Sequence, residues 1–328
     1  MIKGATLGQY RMERLIRMGD SCQVWEAIKL NTNELYALKV LRPDFRAIKQ
    51  KVALLKNEFK VASELTHPSI IRIYQLELAE NSPFLVMELF SETNLKQILR
   101  SRNSRRSWAV SRELENIILQ KIILQCAESL YYMHEHRFMH CDLKPESFLV
   151  TRDGDIKLID FAHAQKYGTS FLAKIFSAKR GRVLSLNYVS PEQFRGSALT
   201  PQADIYSFGC IMFELVTGAP PYNFSSPNEL QELHISAPIP PILNANVTGG
   251  FQDIVHVAMA KNPEHRFASM WHLLQALRGS AIFKSPPEPP YAAVVVRYCR
   301  SDCRKNPVET YASVSLVSLV AQHTQSNR

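Results

Sequence analysis

The chain has 328 residues, 46% of them hydrophobic and 21% charged, with a formal net charge of +9. That suits an ordinary globular protein, long enough for one large or two modest domains with real cores. The six cysteines are scattered without a C-x-x-C pair, which argues against a disulfide framework or a zinc site and for a reducing compartment. No run approaches the ~20 apolar residues that span a bilayer. Met1-Ile2-Lys3-Gly4 leads straight into polar sequence, so no signal peptide and a cytoplasmic location are expected. The basic balance points to polyanionic partners without choosing among them.

Residues 10–16 read as a strand, followed by the loop Arg17-Met18-Gly19-Asp20-Ser21-Cys22-Gln23-Val24. Residues 35–41 form a second apolar strand carrying one lysine, Lys39, framed by Ala37 and Val40. A charged helix is expected over about 45–65, with Val52, Leu55, Phe59 and Ala62 on one face and Glu58 beside it. Residues 71–77 and 84–89 are two more strands; the second runs into Glu88, Leu89 and Phe90. Arg100, Arg102, Arg105 and Arg106 lack interleaved aromatics, so a solvated loop is expected there, not a nucleic-acid site. Residues 111–136 form a long helix with apolar rows at Ile118, Ile122, Cys126, Leu130 and at Leu119, Ile123, Ala127.

The stretch from His140 to Ala162 organises the rest. Two short apolar strands, 148–150 and 156–159, are joined by a turn at Asp153-Gly154-Asp155, a hairpin signal. Asp142 precedes the hairpin and Asp160 ends it, so both can face one cavity. One carboxylate to orient a hydroxyl and another to hold magnesium is an arrangement suited to phosphoryl transfer. Residues 165–188 hold Lys166, Lys174, Lys179, Arg180 and Arg182 and no acid. A buried helix opening at Asp204 stops at Gly218, with Pro220-Pro221 beyond. Residues 284–290 form a proline-rich linker, and the tail to 328, with Cys299 and Cys303 read as two thiols, has no assigned role.

These motifs resemble those of protein kinases. His140-Cys141-Asp142-Leu143-Lys144-Pro145-Glu146-Ser147 is similar to the catalytic loop H-R-D-L-K-P-E-N, and Asp160-Phe161-Ala162 to D-F-G. Ser190-Pro191-Glu192 stands where the family has A-P-E, and Asn262-Pro263 with Arg266 matches N-P-x-x-R. Ser190-Pro191-Glu192-Gln193 and the short N-terminal lead look like bacterial Ser/Thr kinases. The resemblance covers about residues 10 to 280. It implies an α+β, bilobal fold: residues 1–90 a small antiparallel-sheet lobe with one helix, 91–282 a mainly helical lobe, 283–328 linker and tail. It also implies ATP with magnesium or manganese, and a protein substrate offering Ser or Thr.

By resemblance Lys39 holds the α/β-phosphates and Glu58 orients it, under a lid containing Gly19 and Val24. Ala37 and Met87 line the adenine pocket, although Met87 fits plain core equally well, and the backbone of Glu88 to Phe90 bonds the adenine edge. Asp142 positions the substrate hydroxyl, Lys144 neutralises the transferring phosphoryl group, and Asp160 and Ser147 bind metal. Arg266 pairs with Glu192, and Ser185 contacts the catalytic aspartate.

Five positions depart from the family pattern. Arg17 and Cys22 occupy the outer glycine positions of G-x-G-x-x-G, which should loosen the phosphate grip, with the Arg17 charge a partial offset. Ser147 replaces an asparagine and reaches one bond less far, so weaker binding of one metal is expected. Ala162 replaces a glycine, and Cys141 replaces the arginine that receives an activation-loop phosphate. Three readings stay open on sequence: an active Ser/Thr protein kinase, a pseudokinase acting as a nucleotide-binding or interaction scaffold, and a small-molecule kinase of the related fold, against which Lys144, Ser190-Pro191-Glu192 and the Asp204 helix argue.

Overall fold

The computed structural model describes residues 3–79, 82–90, 93–103, 112–168 and 186–284. Lys174 to Arg182, Ser185, Arg105, Arg106, Cys299 and Cys303 lie outside them.

Alternation along single strands builds the first part. Strands β1 (Thr6–Leu7), β2 (Tyr10–Met18), β3 (Cys22–Lys29), β4 (Leu35–Leu41), β5 (Ile73–Ala79) and β6 (Ser82–Met87) form one antiparallel sheet in the order β1-β2-β3-β4-β6-β5. In β4, Leu38 and Val40 point to one face, into a cluster with Tyr10, Met12, Trp25, Phe84 and Val86. Ala37 and Leu41 point to the other face, into the large core shared with the helices. Period two therefore puts Lys39 on the helix-facing side.

Helix α1 (Lys49–Ser63) packs on that side. It begins later than the sequence suggests, because Phe45 closes a separate 3₁₀ turn, Pro43–Phe45. Its buried residues are Leu55, Glu58, Val61 and Ala62, so Glu58 lies within the buried face and not beside it.

The second part is mainly helical: α2 (Leu95–Asn103), α3 (Arg112–Glu135), α4 (Pro191–Phe194), α5 (Gln202–Thr217), α6 (Pro227–Ser236), α7 (Gly249–Ala258) and α8 (Met270–Gly279). Arg100 and Arg102 belong to the last turn of α2 and not to a loop. Leu95, Ile98 and Leu99 bury one face of that helix, and the Asn94 side chain accepts from the Gln97 amide at its start. In α5 every residue from Ala203 to Val216 is buried. Gly209 lets α7 approach, since a Cβ there would meet Met259 Cγ at 2.8 Å and Ala258 Cβ at 3.1 Å. Gly218 ends α5 at φ 86°, the left-handed cap that glycine adopts without strain.

After the short strand β7 (Phe138–Met139), the hairpin consists of β8 (Phe148–Val150) and β9 (Ile156–Leu158). Its loop is longer than a two-residue turn: Val150 pairs with Ile156, and the Thr151 amide bonds the Asp155 carbonyl at 2.9 Å. Two further backbone bonds tie β9 to the sheet side, Ile71 N–H to Leu158 O at 3.0 Å and Leu158 N–H to Ser69 O at 2.8 Å.

The guanidinium of Arg266 satisfies all five of its donors. It forks onto Glu192 at 2.7 and 2.8 Å and bonds the carbonyls of Gln202, Ala260 and Lys261. Removing one partner of a buried pair leaves an uncompensated charge, a loss of about 3–5 kcal/mol. Arg266→Ala is therefore expected to lower stability by that amount, read as a lower urea midpoint at unchanged slope.

Candidate active site

Lys39 Nζ donates to both carboxylate oxygens of Glu58, at 2.8 and 2.7 Å, and to Asp160 Oδ1 at 3.1 Å. Burial opposes the lysine charge, but Asp160 and Glu58 outweigh it and raise its pKa above the ordinary value. Lys39, and then Lys144, hold the Asp160 carboxyl far below its usual range against the effect of burial. Asp160 sits at φ 72° at the end of the hairpin, with 33% of its side chain still open. Next to Glu58 on α1, Asn57 Nδ2 donates to the carbonyls of Phe161, Ala162 and Ala164 at 3.4, 3.1 and 3.0 Å. One helix thus holds both the lysine and the segment after Asp160.

The loop before the hairpin is fixed from below by Asp204. Its carboxylate accepts from the amides of His140 and Cys141 at 2.7 and 2.9 Å and meets His134 Nε2 at 2.9 Å. Burial opposes that charge, yet these bonds outweigh it and keep the carboxyl below its ordinary range. Cys141 is held at φ 65°, and Gln193 Nε2 donates to its carbonyl at 2.9 Å. A non-glycine residue in that region costs about 1–3 kcal/mol and persists only where surroundings over-determine it.

This frame presents Asp142 and Lys144. Lys144 Nζ lies 3.1 Å from Asp142 Oδ2. Burial raises Asp142 above the usual carboxylate range, partly offset by Lys144 and reinforced by Asp160. Ser147 is fully buried; its hydroxyl donates to the Asp142 carbonyl at 3.3 Å, and its carbonyl accepts from Ile159 N–H at 2.8 Å. A pocket beside Asp142 is lined by Leu143, Tyr188, Val189, Gln193 and Ser207.

Above the cleft, Gly19 N–H bonds Cys22 O at 2.8 Å in the β2–β3 turn, and Val24 pairs with Lys39 across the sheet. Neither Arg17 nor Cys22 has positive φ, so the lid backbone makes no demand there that only glycine meets. At the back, Ala37 pairs with Met87. The Glu88 side chain turns away from the cleft to Lys157 Nζ at 2.8 Å and the Arg72 amide at 2.6 Å. Its own amide donates to Arg72 O at 3.0 Å, and Phe90 lies under the Lys157 ammonium.

The structure thus brings Lys39, Glu58 and Asp160 together, and Asp142, Lys144 and Ser147 together. Sequence reasoning missed Asn57; it named Gln193 only within the Ser190-Pro191-Glu192-Gln193 motif and Asp204 only through the buried helix it opens, with no contact assigned to either. No local pattern marks an amide that bonds carbonyls a hundred residues away.

Residues 10–277 match the family description protein kinase domain, and the chain belongs to that family. It is 30% identical over 296 residues to the serine/threonine-protein kinase PknH of Mycobacterium bovis, covering 90% of this chain and 47% of that protein. It is 28% identical over 265 residues to PknB of Mycolicibacterium smegmatis, covering 79% and 41%. It is 29% identical over 262 residues to PrkC of Bacillus subtilis, covering 79% and 38%. The chain therefore spans less than half the length of these curated relatives. Among the described residues no helix is long and apolar enough to cross a membrane.

Asn57→Ala removes three hydrogen bonds to half-buried carbonyls, where leaving such a group unpaired costs about 1–3 kcal/mol. A lower urea midpoint is expected, with faster amide exchange across residues 161–164 than elsewhere in the hairpin.

Proposed function

We propose that the chain is a Ser/Thr protein kinase that transfers the ATP γ-phosphoryl group to protein hydroxyls. The observation that carries this reading is the joined pair of clusters: Lys39–Glu58–Asp160 on one side and Asp142–Lys144 on the other, with Lys144 acting on both aspartates. The relatives named as Ser/Thr kinases favour this reading over an interaction scaffold.

In it, Lys39, kept cationic, holds phosphate oxygens, and Glu58 fixes its position. Asp142 accepts a hydrogen bond from the substrate hydroxyl, and Lys144 offsets charge on the transferring group. The Glu88 amide is already bonded, so its carbonyl and the Phe90 backbone remain for the adenine edge.

The oxygen donors Asp160 and Ser147 fit a hard divalent cation, magnesium or manganese. When bound, such an ion neutralises charge on the phosphates. Among the described residues no group of three or more His, Cys, Asp or Glu could hold a metal, so phosphate oxygens would complete the shell. Of the two ligands Ser147 is the weaker, being buried, shorter than asparagine and already bonded to the Asp142 carbonyl. We place the protein in the cytoplasm, with protein substrates and no nucleic-acid partner. The lobes divide near residue 90. We end the helical lobe near residue 282, a reading supported by the buried Phe283 and by the Lys284 N–H bond to Asn246 O.

The test is a radiolabelled ATP assay on a generic basic protein with magnesium. Asp142→Asn should lower transfer by about 10²-fold or more; equal incorporation by both proteins overturns the reading. Because Asp142 must be ionised and its pKa is raised, the acid limb of kcat/KM should lie above the ordinary aspartate value of 3.8. Activity held constant down to pH 4 contradicts that assignment. Ser147→Asn should lower the magnesium needed for half-maximal rate, and an unchanged requirement removes Ser147 from the metal site.

A further inference from the structure

Arg17 stands where the family has the first lid glycine, and the sheet does something specific with it. Strands β2 and β3 pair Met12 with Ala27 and Leu15 with Trp25, with a register shift between Met12 and Arg14 and a second between Leu15 and Arg17. The second shift puts Arg17 opposite Val24; without it Ile16 would stand there. Val24 in turn pairs with Lys39, and Lys39 with Leu85. Directly paired residues share a face of a sheet, so Arg17, Val24 and Lys39 form one row on the cleft side. Two strand spacings of ~4.8 Å separate the ends of that row. Bulges re-aim side chains near functional sites, and this one turns a long cation towards the cleft.

Its surroundings fit that direction. Arg17 is half-buried, whereas the neighbouring Met18 is 55% exposed. Burial lowers its pKa, and the acids that act against burial are Asp160 and Glu146, one from each side of the catalytic loop and hairpin. Among the described residues no carboxylate lies within ion-pair distance of its guanidinium. The site's two lysines, by contrast, are already committed: Lys39 to Glu58 and Asp160, Lys144 to Asp142. Two ammonium groups against three carboxylates leave the inner site with a net negative charge before any nucleotide arrives. A triphosphate there needs another cation, and Ser147 weakens one of the positions that would hold a metal.

We propose that Arg17 is a nucleotide-binding residue that grips the β- and γ-phosphates of ATP from the sheet side, replacing the close backbone approach that glycine permits. A guanidinium offers paired N–H donors matched to phosphate oxygens, which suits it to that task. This inference rests on the kinase reading, and it goes beyond the expectation from sequence that the Arg17 charge only partly offsets a loosened phosphate grip.

The test is calorimetric binding of ATP, ADP and adenosine to the whole chain with magnesium, for the unaltered protein and for Arg17→Gly, Arg17→Gln and Arg17→Lys. Arg17→Gly and Arg17→Gln should weaken ATP about tenfold, or about 1.4 kcal/mol, weaken ADP less, and leave adenosine unchanged. Arg17→Lys should recover part of the loss. The salt dependence of ATP binding should also flatten in the two neutral variants. Tighter or equal ATP binding by Arg17→Gly overturns the proposal. Parallel loss of ATP and adenosine in the neutral variants overturns it as well, because the defect is then not at the phosphates. If the unaltered chain binds no adenine compound, the function reading fails first and this inference with it; ATP binding indifferent to Arg17 sinks only the latter.

Discussion

The ammonium of Lys39 joins three separate pieces of chain: its own strand, the α1 helix through Glu58, and the end of the hairpin through Asp160. Those residues are 19 and 121 positions from Lys39 in sequence. A buried lysine is costly without counter-charge, and a buried glutamate is too. Each is tolerated because the other is there, which makes the position of α1 against the sheet a condition of the site. Asn57 adds a second constraint from the same helix. It bonds the carbonyls after Asp160, so a shift of α1 would disturb the lysine and the hairpin end together.

The opposite wall depends on Asp204 in the same way. The turn at His140 and Cys141 points two amides at one carboxylate, and Cys141 is driven into a left-handed conformation to do it. That strain is sustained by bonds to both sides of the Cys141 peptide, from Asp204 below and Gln193 beyond. Gln193 belongs to the capping box of α4 with Ser190, and Glu192 in the same short helix is clamped by Arg266. The catalytic loop is thereby connected to the far end of the helical region through fully bonded charges.

Seen in this frame, the departures from the family pattern are unequal. Ala162 lies in a 3₁₀ turn, Phe161–His163, which any residue adopts, while the positive φ falls on Asp160. Cys22 begins an ordinary strand opposite Leu41. Cys141 is buried with its thiol near the Met139 carbonyl, and places no cation at that position. Ser147 retains a hydrogen bond to the Asp142 carbonyl but not the reach of an amide. Arg17 changes the charge of the cleft, because a register shift aims it there.

The sequence by itself determined the elements and the identity of the charged groups. Lys39 stood out as the one lysine of an apolar strand, and the ordered motifs from His140 to Arg266 were specific enough to define the family. Those signals are local: periods of two and 3.6 residues, glycine stops, and short strings of fixed spacing. Tertiary structure alone decided what the groups meet. Glu58 inside the buried face, Asn57 on three carbonyls, Asp204 beneath the catalytic loop and Glu88 turned towards Lys157 all rest on contacts between distant segments. Such contacts leave no periodic trace, because a hydrogen bond specifies a direction in space and not a spacing along the chain. The fate of Arg17 was decided the same way, by register shifts in a strand pairing that its neighbours in sequence do not announce.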